Sequence, residues 1–151
     1  MLQDLPPYLK YVVLTLVPWV ELRGAVPLAF QQRELAYLPL ILVANALIFL
    51  PTYWGLELVY ELLPEGGWIH RKLESIRRRA HPFVERYGFF GLAVFVAIPL
   101  PGTGAYSGSA AAWLLDMEWK RGFAAVALGV AIAFGLVGAV SALVAAGVAR
   151  L

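Results

Sequence analysis

Three long stretches of the chain carry no charge, and this constrains it more than any other feature. Residues 35–56, 87–115 and 122–149 run for 22, 29 and 28 residues without Asp, Glu, Lys or Arg. A helix rises about 1.5 Å per residue and a bilayer's hydrocarbon core is roughly 30 Å thick, so about 20 residues make one crossing. The chain is 61% hydrophobic and 15% charged, against about half and a quarter in soluble domains. These runs exclude a soluble globular domain and a disordered chain. They point to one all-helical integral membrane domain, 1–151.

The runs differ in kind. The run 35–56, extended to Glu61, reads as one crossing, with Pro39 in its first turns and Pro51 as a kink. The span 120–149 reads as a second, long or tilted crossing. Its small residues form two stripes, Ala125–Gly129–Ala133 and Ala131–Gly135–Ala139, which allow helices to approach closely in lipid and suggest a homodimer. The run 87–115 is too long for one crossing and is broken by Pro99-Leu100-Pro101-Gly102-Thr103-Gly104. Each arm is half a bilayer long, as in a re-entrant hairpin that turns near the midplane. Residues 8–32 repeat that design around Pro18-Trp19-Val20-Glu21-Leu22-Arg23-Gly24. A cleaved signal peptide is the rival reading of this first segment, but Asp4 beside Lys10 and the lack of a small-x-small site speak against it.

The chain thus reads as two repeats, each a hairpin followed by a span: 1–62 (hairpin 8–32, span 35–61) and 87–151 (hairpin 87–115, span 120–149). One crossing separates the hairpins, so the repeats are inverted, a recurring transporter design. Within the linker 63–86, residues 66–86 hold six basic residues against two acidic ones, a net of +4, so the remainder of this +2 chain is −2. The positive-inside rule places the linker in the cytoplasm and the chain, as a multi-pass protein, in the inner (plasma) membrane. Ile69, Leu73, Ile76 and Ala80 share one helical face, and Pro82 is expected to end this amphipathic helix. Arg71, Lys72, Arg78 and Arg79 on its other faces are candidates for holding anionic lipid headgroups, at about 1 kcal/mol each. A solvated linker that only sets orientation is the plainer alternative.

Glu21 and Arg23 carry the most functional information. A charge at bilayer depth costs about 2.5–3.5 kcal/mol on insertion scales, so such residues pair, face water or act. Glu21 could accept protons and Arg23 could bind an anion. Alternatively, the two ions cap half-helices and stitch the hairpins together. At the second tip, the arm that starts near Gly104 would aim its N–H groups at the midplane, where a phosphate or carboxylate could sit. Thr103 and Ser107 could instead only cap that arm. Asn45 lies mid-span and could bond to a hairpin tip. Trp54, Trp68, Trp113 and Trp119 fall near segment ends and read as interface anchors, whereas Trp19 could line a cavity. Cysteine is absent and His70 and His81 are the two histidines. With no metal-ligand spacing, catalytic triad or nucleotide loop, the expectation is no enzyme, no cofactor and no nucleic-acid partner.

The motifs Glu21-Leu22-Arg23-Gly24-Ala25-Val26-Pro27 and Pro99-Leu100-Pro101-Gly102-Thr103-Gly104-Ala105 resemble the two signatures of the small multidrug export protein family. The resemblance covers nearly the whole chain. Tyr87-Gly88-Phe89-Phe90-Gly91, followed by Ile98-Pro99, is similar at greater distance to the second hairpin of the DedA superfamily. That group has opposed re-entrant hairpins and is implicated in moving lipids across bilayers. Its members carry arginines around that proline, which residues 87–115 lack. The resemblance implies a transporter whose substrate or ion site draws on Glu21, Arg23, Gly24, Pro27, Asn45, Pro99, Pro101, Gly102, Thr103, Gly104 and Ser107. The leading expectation is a proton-coupled carrier of a lipid or amphiphilic anion, with membrane lipids as partners. A small multidrug exporter and a non-transporting scaffold or assembly factor are the alternatives.

Overall fold

The computed structural model describes residues 5–64, 67–98 and 103–148, without the side chains of 76, 77, 79–85 and 148. Among these residues there are seven α-helices, one 3-10 turn and no strand. In order they are α1 (Pro7–Leu16), α2 (Glu21–Gln31), a 3-10 turn (Leu35–Tyr37), α3 (Leu38–Leu47), α4 (Phe49–Glu61), α5 (Trp68–Ala97), α6 (Ala105–Leu114) and α7 (Trp119–Val148). Among the described residues, two segments are long and apolar enough to cross a membrane, Leu35–Glu61 and Trp119–Gly147.

Proline and the chain's local chemistry set the breaks. α1 opens with Pro7, where the missing N–H costs nothing, and ends at Val17, extended ahead of Pro18. α5 ends the same way, at Ile98, which is extended ahead of Pro99. The first span divides at Ile48 into α3 and α4. Pro51 has no N–H for the Leu47 carbonyl and its ring crowds that oxygen, so the turn tightens and the Ile48 N–H donates to the Asn45 carbonyl at 3.3 Å.

α2 and α6 also end alike. Arg33 and Asp116, at φ 57° and 56°, occupy the left-handed position after each helix. The next N–H then reaches back five residues, Glu34 to the Ala29 carbonyl at 2.9 Å and Met117 to the Ala112 carbonyl at 3.0 Å. Both helix ends are thus Schellman closures that satisfy otherwise orphaned carbonyls.

α5 departs from expectation. It runs unbroken for 30 residues through Pro82, about 45 Å at the helical rise. Proline removes one hydrogen bond, whereas ending a helix and starting another orphans up to four carbonyls and four N–H groups. One continuous rod is the cheaper solution. The Glu74–Arg78 pair, at 3.4 Å, supports it on one exposed face.

The core sits where α5, α6 and α7 meet α2, α3 and α4. α2 packs on α7, α6 packs on both α4 and α7, and α5 makes its main contact with α7. Val96 of α5 lies between Gly108 of α6 and Gly129 of α7; a Cβ on either glycine would overlap the Val96 side chain. The stripe Ala125–Gly129–Ala133 is buried in this seam. It is consumed inside the chain, a correction to its expected role between subunits. The second stripe, Ala131–Gly135–Ala139, is exposed. Leu128, Ile132, Leu136 and Leu143 on α7 and Phe90 and Val94 on α5 are also exposed. Apolar surface on this scale suits lipid contact, since soluble monomers rarely present it.

Candidate functional site

The turn between α1 and α2 carries the site's charged residues. It is tighter than expected and occupies Val17–Val20 alone, so Glu21, Arg23 and Gly24 belong to the first turns of α2. Trp19 and Glu21 take positive φ, 77° and 43°, a strained conformation for residues with side chains that persists only where the surroundings enforce it. The Trp19 side chain is 79% exposed and does not line the crevice described below, a correction. It points outward because the left-handed turn directs it away from the core.

Glu21 is 4% exposed. Its Oε2 accepts from the Ala105 N–H at 3.1 Å and its Oε1 from the Tyr106 N–H at 3.3 Å. α6 has no side-chain cap of its own. The carboxylate of Glu21 therefore caps α6 from 84 residues away and meets the positive end of the α6 dipole. Gly104 makes this possible, because a Cβ there would overlap both carboxylate oxygens.

Arg23 meets the complementary end. Its Nη2 donates to the Ile98 carbonyl at 3.1 Å and to Thr103 Oγ1 at 3.0 Å. The Thr103 hydroxyl in turn donates to the Ile98 carbonyl at 2.5 Å. A cation thus sits at the C-terminal, negative end of α5 while an anion sits at the N-terminal, positive end of α6. The two charges of the first tip are matched to the two helix dipoles of the second.

Asn45 completes the arrangement from α3. It is fully buried, and neither its Oδ1 nor its Nδ2 has a hydrogen-bond partner. With Glu21, Arg23 and Gly104 it lines a crevice whose remaining walls are Leu22, Val96, Ala105, Val130 and Ala133. The crevice is too narrow to hold a water. Other buried hydroxyls are satisfied within their own helices, Thr15 on the Tyr11 carbonyl and Ser109 on the Ala105 carbonyl.

The structure therefore brings together Glu21, Arg23, Asn45, Thr103 and Gly104. Gly24 faces Val20 on its own tip, and Ser107 turns its hydroxyl onto the Gly104 carbonyl at 3.1 Å. Pro27 lies elsewhere, on an open groove of about 670 Å³ between α2 and α7 shared with Phe30, Arg33, Val140 and Val144. Pro99, Pro101 and Gly102 lie outside the described residues. Of the linker cations, Arg71, Lys72 and Arg78 are exposed. Lys72 stands over Trp68 at 4.9 Å, and the Arg79 side chain lies outside the described set.

Sequence reasoning missed three features. One is the role of the Ala105 and Tyr106 amides as the specific partners of Glu21. The second is Lys10, whose Nζ reaches Glu34 at 2.8 Å while Tyr11 also donates to Glu34 at 2.5 Å. The third is Trp113, which is 7% exposed and donates to Glu57 at 2.5 Å. This corrects its expected place as an interface anchor: α6 lies on α4, so its last turn is covered. Glu57, a carboxylate in an otherwise apolar turn of the first span, was the available signal.

Neither a search of the curated proteins nor a search of the solved structures finds a match. A family model matches residues 21–136, which begins at the buried carboxylate and runs from α2 through most of α7. By that match the chain belongs to the family described as "Putative small multi-drug export protein".

Proposed function

We propose that the chain is a proton-coupled transporter of an amphiphilic anion, such as a lipid phosphate, rather than an enzyme. Its site lies between two helical tips near the bilayer midplane. The observation that carries this reading is the buried Glu21 carboxylate on the α6 amides, with Arg23 at the end of α5. A helix N-terminus beside an arginine is an anion site, and here the chain's own carboxylate fills it. Protonation of Glu21 removes that charge, loosens the cap, and frees the amides and Arg23 for a substrate headgroup. Proton binding and anion binding are thereby linked, and the strained turn is poised to move once its anchor is released.

The architecture proposed is DedA-like, with two inverted repeats of a re-entrant pair and a span. Three parallels between the halves support it. α1 and α5 both end extended before a proline. α2 and α6 both end in a Schellman closure on a left-handed residue that is not glycine. Each of them packs on the other half's span, α2 on α7 and α6 on α4. The basic start of α5 is assigned to the cytoplasm, where Arg71, Lys72, Arg78 and Arg79 would meet anionic headgroups, and the exposed α7 stripe is assigned to a homodimer in the inner membrane. The apolar groove beside Arg33 gives an acyl tail a path along α2.

The family's description favours a second reading, export of cationic drugs on Glu21. The geometry is less suited to it, because both carboxylate oxygens already accept N–H groups and Arg23 stands beside them. The test is thermal-shift binding of short-chain phosphatidic acid to the purified protein from pH 5 to 8. Stabilisation should grow toward low pH, lose its pH dependence in Glu21→Gln and vanish in Arg23→Gln. Folded wild-type protein that shows no shift at any pH would overturn the anion reading, and displacement of protons by a cationic drug would favour the second.

A further inference from the structure

Asn45 is the unexplained residue of the site. A fully buried amide with both polar atoms unpartnered is rare, because leaving such a group unmade costs about 1–3 kcal/mol. The crevice it faces is too narrow for a water to make good the loss. The other polar side chains on that crevice are Glu21 and Arg23, and Arg23 Nη2 is committed to Ile98 and Thr103.

We propose that Asn45 is the partner of protonated Glu21, so that the two residues form a two-position proton site. This rests on the reading of Glu21 as the proton acceptor. An ionised carboxylate only accepts hydrogen bonds, so it can never satisfy Asn45 Oδ1. A carboxylic acid has one donor and one acceptor, and a primary amide has the complementary pair. The Glu21 O–H donates to Asn45 Oδ1 while Asn45 Nδ2 donates to the Glu21 carbonyl oxygen. Both orphan atoms are satisfied at once, in the protonated state only. The unmet amide of the ionised state thus favours uptake of a proton, and the movement of Glu21 toward α3 clears the α6 amides.

The charged and titratable groups around Glu21 set no competing switch. Arg23 on the same helix and Tyr106 on α6 interact with it electrostatically. Tyr106 holds its hydroxyl on the Leu16 carbonyl at 2.6 Å. On α1, Lys10 and Tyr11 are engaged with Glu34. α3 has no ionisable side chain, and those of α7 among the described residues, Lys120 and Arg121, lie at its first turn.

Asn45 is the sole asparagine of the chain, so asparagine labelling with nitrogen-15 gives one side-chain amide signal. The full chain in detergent micelles, also carrying carbon-13 glutamate, is titrated from pH 4 to 9. The Glu21 carboxyl is identified by its loss in Glu21→Gln. The Asn45 amide should shift with the midpoint of the Glu21 carboxyl and stay constant with pH in Glu21→Gln. In Asn45→Leu the Glu21 midpoint should fall by about one pH unit, a tenfold weaker hold on the proton. An Asn45 signal that is flat through the Glu21 titration overturns the proposal, as does one that titrates unchanged in Glu21→Gln. Neither outcome depends on whether any anion is bound or moved.

Discussion

Gly104 shows how narrowly the tip contact is specified at the level of single residues. A Cβ at this position would overlap the Glu21 carboxylate, so Gly104→Ala should displace the cap from α6. The loss should resemble that of an ordinary N-cap, about 1–2 kcal/mol, and should lower the unfolding temperature of the purified protein. The penalty should be smaller when Glu21→Ala is already present, because there is no longer a carboxylate to overlap; such non-additivity marks residues in direct contact. Equal penalties in the two backgrounds would mean that Gly104 acts through something other than Glu21. The importance of Glu21 and Arg23 was legible in the sequence because charge at bilayer depth is costly wherever it falls. Their partners were not. The amides of Ala105 and Tyr106 carry no side-chain signature, and which dipole each charge meets depends on how two tips distant in sequence dock. Nor could the sequence tell a role in transport from one in stitching the tips together. In the structure the same two contacts perform the stitching, and under the proposed function transport acts by releasing them.

At the level of elements, proline and glycine were reliable guides where they coincided with a loss of helical pattern, as at Pro18 and Pro99. Pro82 was misleading because the apolar stretch beyond it, 87–97, stays helical and one missing bond costs less than two new helix ends. The joint between α1 and the α2–α3 turn had no sequence signature, since Lys10 and Glu34 lie 24 residues apart. This joint is nevertheless testable through pH. The ammonium of Lys10, with the Tyr11 hydroxyl, holds Glu34 below its ordinary value of 4.5. A carboxylate whose folded value is depressed adds stability above its unfolded value, and that stability fades as pH falls through the folded one. Wild type should therefore unfold at a higher temperature than Glu34→Gln at pH 7, and the gap should narrow as pH falls below the ordinary 4.5 and close below the depressed folded value, where both carry a neutral side chain. A gap that persists at low pH would assign the effect to packing around Tyr11 rather than to charge.

Across the whole molecule, the arrangement makes a definite statement about sides. α1 and α2 form an antiparallel pair, with Lys10 of α1 meeting Glu34 just past the end of α2, so the start of the one and the end of the other share a surface. Leu35–Glu61, long and apolar enough to cross once, then delivers the chain to the basic start of α5. If 87–115 dips in and returns, Asp116 emerges on the same side as that basic segment, and α7 crosses back. If instead 87–115 crosses fully, Asp116 emerges opposite. The absence of native cysteine allows this to be read directly. Single cysteines at Gln31, Ser75 and Asp116 are exposed in intact cells to a membrane-impermeant maleimide. Gln31→Cys should label at once, whereas Ser75→Cys and Asp116→Cys should label only after the membrane is opened. Immediate labelling of Asp116→Cys with Ser75→Cys protected would make 87–115 a full crossing and remove the inverted repeat. Immediate labelling of Ser75→Cys with Gln31→Cys protected would reverse the orientation, so that Lys10, Glu34 and Arg33 would face the cytoplasm. Either result would still leave Glu21 on the α6 amides, because that contact is made between helices inside the chain and does not depend on which side α5 begins.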